Sequence, residues 1–137
     1  MIYPQIIINT DGGARGNPGP AAIGVIAKTP DGTVLFELSE YIGSQTNNVA
    51  EYTAVIHALN HLDQHQLQAS KINFILDSEL IVRQIQGIYR VKEPNLQKLH
   101  TEVKKLLSGH SYTFTSVSRS QNKRADKLVN QALDSQK

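Results

Sequence analysis

Two apolar runs, Ile6-Ile7-Ile8 and Ile72-Asn73-Phe74-Ile75-Leu76, lead into aspartates, Asp11 and Asp77. Short apolar runs bounded by turn signals read as strands buried on both faces. The first opens into Gly12-Gly13-Ala14-Arg15-Gly16-Asn17-Pro18-Gly19-Pro20, and the second is followed at once by a helical pattern. Strands buried on both faces need sheet neighbours and covering helices, which points to an α/β architecture with both acids at strand ends. Ligands of open α/β sheets bind beyond those ends.

The rest of the chain fills in this frame. Strands over 6–11, 21–28 and 33–42 form an antiparallel meander, the last two joined by the turn signal Thr29-Pro30-Asp31-Gly32. A helix capped by Asn47 or Asn48 runs to about residue 65, with Glu51 on the core-facing stripe of Val55, Ala58 and Leu62. A strand over 71–77 leads to a helix over 78–88 that frays at Gly87. Pro94 opens the next helix and Gly109 stops it. A strand over 111–117 precedes a final helix over 120–133. Its stripe is Ala125, Leu128, Val129, Ala132 and Leu133, with Asp126 at the edge. The order is βββαβααβα. Right-handed crossovers then give a five-stranded mixed sheet flanked by helices. No repeat or linker interrupts the 137 residues, so a single domain over 1–137 is expected.

Composition excludes several classes. Hydrophobic content of 39% and charged content of 19% fit a folded, soluble chain rather than a disordered one. With no cysteine there is neither a disulfide nor a thiolate metal site, which suits a reducing cytoplasm. Met1-Ile2-Tyr3-Pro4-Gln5 lacks a basic start and an apolar stretch, so no signal peptide is expected. No apolar run approaches the ~18 residues of a membrane span. A cytoplasmic protein without membrane contact is the expectation. Charge is uneven: residues 1–82 carry eight acids against three bases, and residues 83–137 carry four acids against eleven bases. A basic half suggests a polyanion partner, although Lys98, Lys104 and Lys105 can equally serve to solvate a helix.

Four acids stand out: Asp11, Glu51, Asp77 and Asp126, at strand ends and helix starts. Carboxylates at a core edge are unfavourable without compensation, and several at one point repel each other unless a cation joins them. Hard divalent cations take oxygen ligands, and Mg²⁺ uses a few carboxylates plus substrate phosphates. The pattern suggests metal-assisted phosphoryl chemistry. Taken singly, each segment has a plainer reading. The glycine-rich stretch can be a hairpin with Asp11 as a turn acid. One of Asn47 and Asn48 is explained by capping, Asp77-Ser78 by capping too, and Asp126 by the helix dipole. Gly-Lys-Ser/Thr is absent and a hairpin follows the loop, so phosphate-cradling Walker and dinucleotide loops are excluded and no organic cofactor is expected. His57, His61 and His65 fall at i, i+4 and i+8. They read as a solvated face with Asn60 and Gln64 rather than a transition-metal site. Tyr89, Tyr112 and Phe114 read as core or interface packing rather than base-stacking groups.

Taken together, these segments resemble type 1 ribonuclease H over essentially the whole chain and in the right order. The matching motifs are Asp11-Gly12-Gly13 with its Gly/Pro loop, Thr46-Asn47-Asn48-x-x-Glu51, Asp77-Ser78, and Asn122-x-x-Ala125-Asp126. The resemblance implies the ribonuclease H-like fold and hydrolysis of the RNA strand of RNA–DNA hybrids, leaving 5′-phosphate and 3′-hydroxyl ends. It places two Mg²⁺ ions on Asp11, Glu51, Asp77 and Asp126, with Mn²⁺ able to substitute. Asp11 would bridge the ions, Asp126 would hold the nucleophile-side ion, and Glu51 with Asp77 the leaving-group ion. Gly12, Gly13, Ala14, Asn17, Asn48 and Glu79 are the candidate readers of 2′-hydroxyls. Thr46 and Asn47 would grip the DNA-strand phosphate, along with Arg15 or Lys/Arg of the second half. Ser78, Arg119 and Asn122 complete the substrate-contacting set. A monomer with little sequence preference is expected. The segment 89–96 resembles the shorter archaeal and plant-like branch, without the basic insertion of some bacterial members. Ser118-Arg119-Ser120 stands where those members carry a loop histidine, so either Arg119 replaces it or the role is unfilled. Glu79 stands where many relatives have Gln. A DNA-cutting relative is disfavoured by the Asp-Gly-Gly loop and the paired asparagines. A non-catalytic hybrid-binding module is disfavoured by the intact acids.

Overall fold

The computed structural model describes residues 2–136. In chain order its elements are β1 (Ile2–Tyr3), β2 (Ile6–Ala14), β3 (Gly19–Lys28), β4 (Val34–Gln45), α1 (Asn47–Gln64), β5 (Gln68–Ala69), β6 (Ile72–Leu76), α2 (Glu79–Ile85), α3 (Pro94–Leu107), β7 (Tyr112–Ser116), a 3₁₀ turn (Arg119–Gln121) and α4 (Lys123–Asp134). The five-stranded mixed sheet runs β4-β3-β2-β6-β7. β2, β3 and β4 pair antiparallel, while β6 and β7 join parallel. A parallel pair of two-residue strands, β1 and β5, forms a separate small sheet that the periodicity did not reveal.

β2 does not end at Asp11, as expected. It continues through Gly12, Gly13 and Ala14, which pair with Ile23, Ala22 and Ala21 of β3. The parallel pairing with β6 stops earlier, at Asn9 opposite Ile75. Extending that register by two residues brings Asp11 level with Asp77, just where the two strands part. The acid pair is therefore set by sheet register.

Alternation along β3 sorts the two covering layers. Ile23, Val25 and Ala27 join Tyr52, Val55, Leu59 and Leu62 of α1 in the main core. Ala22 faces the other way and packs with Val129, Ala132 and Leu133 of α4 in a small cluster of their own. Fully burying one such aliphatic side chain is worth roughly 1.5–3 kcal/mol, so the α1 layer dominates stability. Tyr52 is wholly buried, and its hydroxyl donates to Gln84 Oε1 at 2.7 Å, which satisfies the one polar atom it brings into the core. Polar ties supplement the α4 layer. Arg124 donates from Nε and Nη2 to the two Glu37 carboxylate oxygens at 2.6 and 2.8 Å, and Ser39 Oγ donates to Leu128 O at 2.6 Å.

Local expectations needed other corrections. Neither Asn47 nor Asn48 caps α1. Thr46 does, its hydroxyl accepting from Val49 N at 3.2 Å. α2 is shorter than expected, because Gly87, at φ +82°, ends the segment beyond it. The last helix begins at Lys123, preceded by the 3₁₀ turn. His57 and His61 do not form a free solvated face. Both are half-buried against β4: His57 Nδ1 lies 2.7 Å from Glu40 Oε2, and the His61 ring lies 4.2 Å from Phe36. Phe114 stacks on Phe74 at 4.6 Å in the core, whereas Tyr89 is exposed.

Candidate active site

Three carboxylates meet at the end of the sheet. One ligand oxygen from each of Asp11, Glu51 and Asp77 lies within 4.8 Å of the other two. Asp11 leaves β2 on the face of Gly13, which packs on Val129 of α4. Glu51 arrives from α1 on the opposite layer. What lets it reach is Gly12: a Cβ there would stand 2.2 Å from the Ala50 carbonyl carbon and 2.6 Å from Glu51 N. The bare glycine also donates its N–H to Glu51 Oε1 at 2.8 Å and to Asp11 Oδ1 at 3.0 Å. One backbone amide thus holds two acids together.

Asp126 is not a full member of the trio. It sits in the first turn of α4, raising the Asp11 pKa by charge and by contact and the Asp77 pKa by charge. Arg119 lies 3.9 Å from its Oδ1, and Asn130 Nδ2 donates weakly to its Oδ2 at 3.5 Å. α4 is brought in by a second obligatory glycine, Gly24, where a Cβ would meet Ala125 O at 2.2 Å. The four expected acids therefore line one cleft, with Asp11, Glu51 and Asp77 as its tight trio and Asp126 to one side.

The electrostatics are those of crowded anions. Burial first, then the charges of Asp77 and Asp126, push Asp11 from 3.8 up to about 7. Glu51 is raised well above its ordinary value, by burial and then by Asp11 and Asp77. Asp77 is raised by burial, against opposing contributions from the Asn122 amide and Arg119. Asp77 Oδ2 is buried without a hydrogen-bond partner. An orphaned carboxylate oxygen beside two strained acids fits a hard divalent cation, which takes carboxylate oxygens and is the missing positive charge.

The acids line an open cleft of about 580 Å³, with Gly12, Gly13, Ala14, Arg15, Asn47, Asn48, Arg119, Val129, Asn130 and Leu133. Several predicted contact residues already have structural partners. Ala14 N donates to Asn47 Oδ1 at 2.9 Å, and Asn47 N donates to Asn17 Oδ1 at 3.0 Å, so the two asparagines bind the glycine-rich turn to the start of α1. Thr46 and Ser78 cap α1 and α2. Arg15 pairs with Asp134 at 2.7 Å. Glu79 pairs with Arg83 at 3.6 Å and does not line the cleft. Asn122 is 1% exposed, with both ends of its amide bonded inside the protein, which sets it apart from the exposed contact residues. Asn130 escaped the sequence reading, and Val129 and Leu133, expected only as core stripe, also line the cleft. Asn130 follows Asp126 by one helical turn, and that spacing was the available signal.

A family model described as reverse transcriptase-like matches residues 9–132. Ribonuclease HI of Halobacterium salinarum is 38% identical over 125 residues, 90% of this chain and 62% of that protein. The bifunctional protein Rv2228c of Mycobacterium tuberculosis is 42% identical over 132 residues, 95% of this chain but 36% of that protein. The chain thus spans from about a third to under two thirds of the length of these curated relatives. Among solved structures, LC11-RNase H1 in complex with an RNA/DNA hybrid superposes with a TM-score of 0.90 at 48% identity, covering 95% of this chain and 97% of that one. The Halobacterium salinarum RNase H1 structure also gives 0.90, at 37% identity, covering 96% and 98%. Sheet order, the glycine-enforced acid group and these likenesses agree: the chain belongs to the type 1 ribonuclease H family.

Proposed function

We propose that this chain is a metal-dependent endonuclease that hydrolyses the RNA strand of RNA–DNA hybrids, leaving 5′-phosphate and 3′-hydroxyl ends. One observation carries the reading: the Asp11, Glu51 and Asp77 oxygens within 4.8 Å of one another, with Asp126 to one side, in an open cleft. Such an acid cluster suits two Mg²⁺ ions, with Mn²⁺ as a substitute. Bound together, such ions supply an activated water and stabilise the departing oxygen of an in-line displacement. Asp11 would be the shared ligand, with Glu51 and Asp77 holding one ion and Asp126 the other.

Selection of the RNA strand requires contact with its 2′-hydroxyls. The N–H groups of Gly12 and Ala14 are already engaged by Glu51 and Asn47. The remaining readers are the Asn48 side chain, the free amide end of Asn17 and the Gly13 backbone, with Glu79 outside the cleft rim. Arg119, largely exposed beside Asp126, is the cation proposed to meet the scissile phosphate. A monomer is the proposed state, since the four acids need no second copy to complete the cleft.

Labelled hybrid, duplex RNA and duplex DNA, each incubated with and without Mg²⁺, test the proposal. Only hybrid with metal should be cut, on the RNA strand. A hybrid with four consecutive ribonucleotides in an otherwise deoxy strand should be cut within or beside them. Equal cleavage of all-DNA duplex would refute the assignment.

A further inference from the structure

Among the described residues, the cations that line the cleft are Arg15 and Arg119. They are held differently. Arg119 is 82% exposed, and its ion pair with Asp126 spans 3.9 Å. Arg15 is fixed at both ends. Its main-chain N–H donates to Pro20 O at 2.8 Å, and its carbonyl lies so close to Gly19 that a Cβ there would stand 2.2 Å from the oxygen. At the far end, Nη2 donates to Asp134 Oδ1 at 2.7 Å and to Asn130 Oδ1 at 3.4 Å.

Donor and acceptor are unambiguous in this network. A guanidinium only donates and a carboxylate only accepts. The Asn130 amide is turned the same way from both sides: its Nδ2 donates to the Asp126 main-chain oxygen at 3.2 Å while its Oδ1 accepts from Arg15. Asp126, Asn130 and Asp134 recur at four-residue spacing and so share one face of α4. The helix gains nothing from the last of them, because Asp134 ends α4, where the dipole disfavours an acid. Asp134 does not line the cleft, whereas Arg15 and Asn130 do. The carboxylate therefore holds the guanidinium from outside, and both bonds leave from one nitrogen. Among the described residues Nε and Nη1 make no hydrogen bond, so their N–H donors are free for a ligand in the cleft. A cation held in advance gives up less side-chain freedom when it meets an anion.

We propose that Asp134 is a positioning residue for substrate: with Asn130 it holds the Arg15 guanidinium at the cleft, where the free donors receive one backbone phosphate of the bound hybrid. The inference rests on the reading of the cleft as a hybrid site and goes beyond it in giving a role to an acid outside that cleft. Asp134 itself touches neither metal nor nucleic acid.

Charge alone predicts the opposite sign. Removing an acid near a polyanion should tighten binding, whereas loss of a positioning carboxylate should weaken it. The test measures anisotropy of a fluorescent hybrid in Ca²⁺, which suppresses turnover, with the whole chain as wild type, Asp134→Ala, Asp134→Asn, Arg15→Ala and the double alanine variant. Arg15→Ala should bind about tenfold more weakly, as for one charge-assisted contact. Its slope of log affinity against log salt should be shallower by roughly 0.9, one phosphate. Asp134→Ala should lose about threefold, part of that contact. Asp134→Asn, which keeps an oxygen acceptor, should lose less. In the Arg15→Ala background, Asp134→Ala should cause no further loss. Circular dichroism at the binding temperature should show all five proteins folded.

If Asp134→Ala binds hybrid as tightly as wild type or more tightly, the proposal is overturned. The same holds if it weakens binding equally with and without Arg15, or if Arg15→Ala leaves the salt slope unchanged. Any of these outcomes in a wild type that binds hybrid leaves the proposed substrate standing. A wild type that does not bind hybrid would overturn both.

Discussion

Without metal, the acids should destabilise the fold, and Asp11→Asn measures by how much. Asp11 is 6% exposed, and its pKa stands at about 7 in the fold against 3.8 ordinarily. An acid with a raised folded pKa favours the folded state fully below its unfolded pKa, here near 3.8. That advantage is lost as pH rises through about 7. At about 1.4 kcal/mol per pH unit, the rise from 3.8 to about 7 amounts to a penalty of about 4 kcal/mol once Asp11 is ionised. Asparagine keeps the shape and can still accept from Gly12 N, but burying its amide costs about 1–2 kcal/mol. The expected net gain in EDTA is about 2–3 kcal/mol at pH 8, on the order of 10 °C in melting temperature for a domain of this size. The gain should shrink steadily toward pH 4, where the wild-type acid is protonated in both states. Millimolar Mg²⁺ should raise the wild type more than the variant and close the gap. Denaturant melts with and without Mg²⁺, at pH 4, 6 and 8, provide the measurement. A variant less stable than wild type at pH 8 in EDTA, or a gain that ignores pH, would refute the crowding of charge inferred around Asp11.

Four further outcomes are expected. Gly12→Ala should lose more than about 3 kcal/mol and its hydrolysis, because the new Cβ strikes the Ala50 backbone. Gly13→Ala should be near neutral in stability, since its Cβ would stand 3.7 Å from Val129 Cγ1; thermal melts of the pair give the contrast. Thr46→Ala should cost about 1 kcal/mol through loss of the α1 cap, read by urea melts, and separately weaken hybrid binding if Thr46 also grips a phosphate. Hybrid affinity measured in Ca²⁺ should fall with salt at a slope of log K against log salt shallower than about −6, at roughly −0.9 per neutralised phosphate on a B-form duplex. A steeper slope would reveal a basic surface beyond Arg15 and Arg119.

The sheet and its helices were legible because their signals are local and periodic. The runs at Ile6 and Ile72, the stripe through Glu51, Val55, Ala58 and Leu62, and the stops at Gly87 and Gly109 each act within a few residues. The two-residue strands β1 and β5 are too short to carry a period. The extension of β2 through Gly12 and Gly13 was missed because glycines read as loop, whereas pairing with β3 holds them extended. Thr46 won the cap from two asparagines for a long-range reason: Asn47 is drawn to Ala14, 33 residues away. The acids could be named from their places at strand and helix ends. The place of Asp126 to one side of the tight trio could not, since it depends on how far α4 leans over the sheet. Asn9 had no local signature, and Asn130 had only its place one helical turn after Asp126. One is defined by a partner 113 residues distant, the other by the carboxylate one turn behind it.

The thin cushion under α4 also bears on how the molecule fails. Ala22, Val129, Ala132 and Leu133 form a patch separate from the main core, Ala125 and Leu128 are buried over Gly24 beside it, and ionic or hydrogen-bonded ties supplement them: Arg124 to Glu37, Arg15 to Asp134, Ser39 to Leu128. Elements with few apolar contacts open in sub-global steps below the free energy of complete unfolding. Undocking of α4 would carry Asp126 away and leave Asp11, Glu51 and Asp77 in place on β2, α1 and the end of β6. Heat inactivation should therefore precede the melting of the sheet, and amide exchange should run faster along α4 than along α1. Salt screens exposed ion pairs, so the interval between the two events should widen as ionic strength rises.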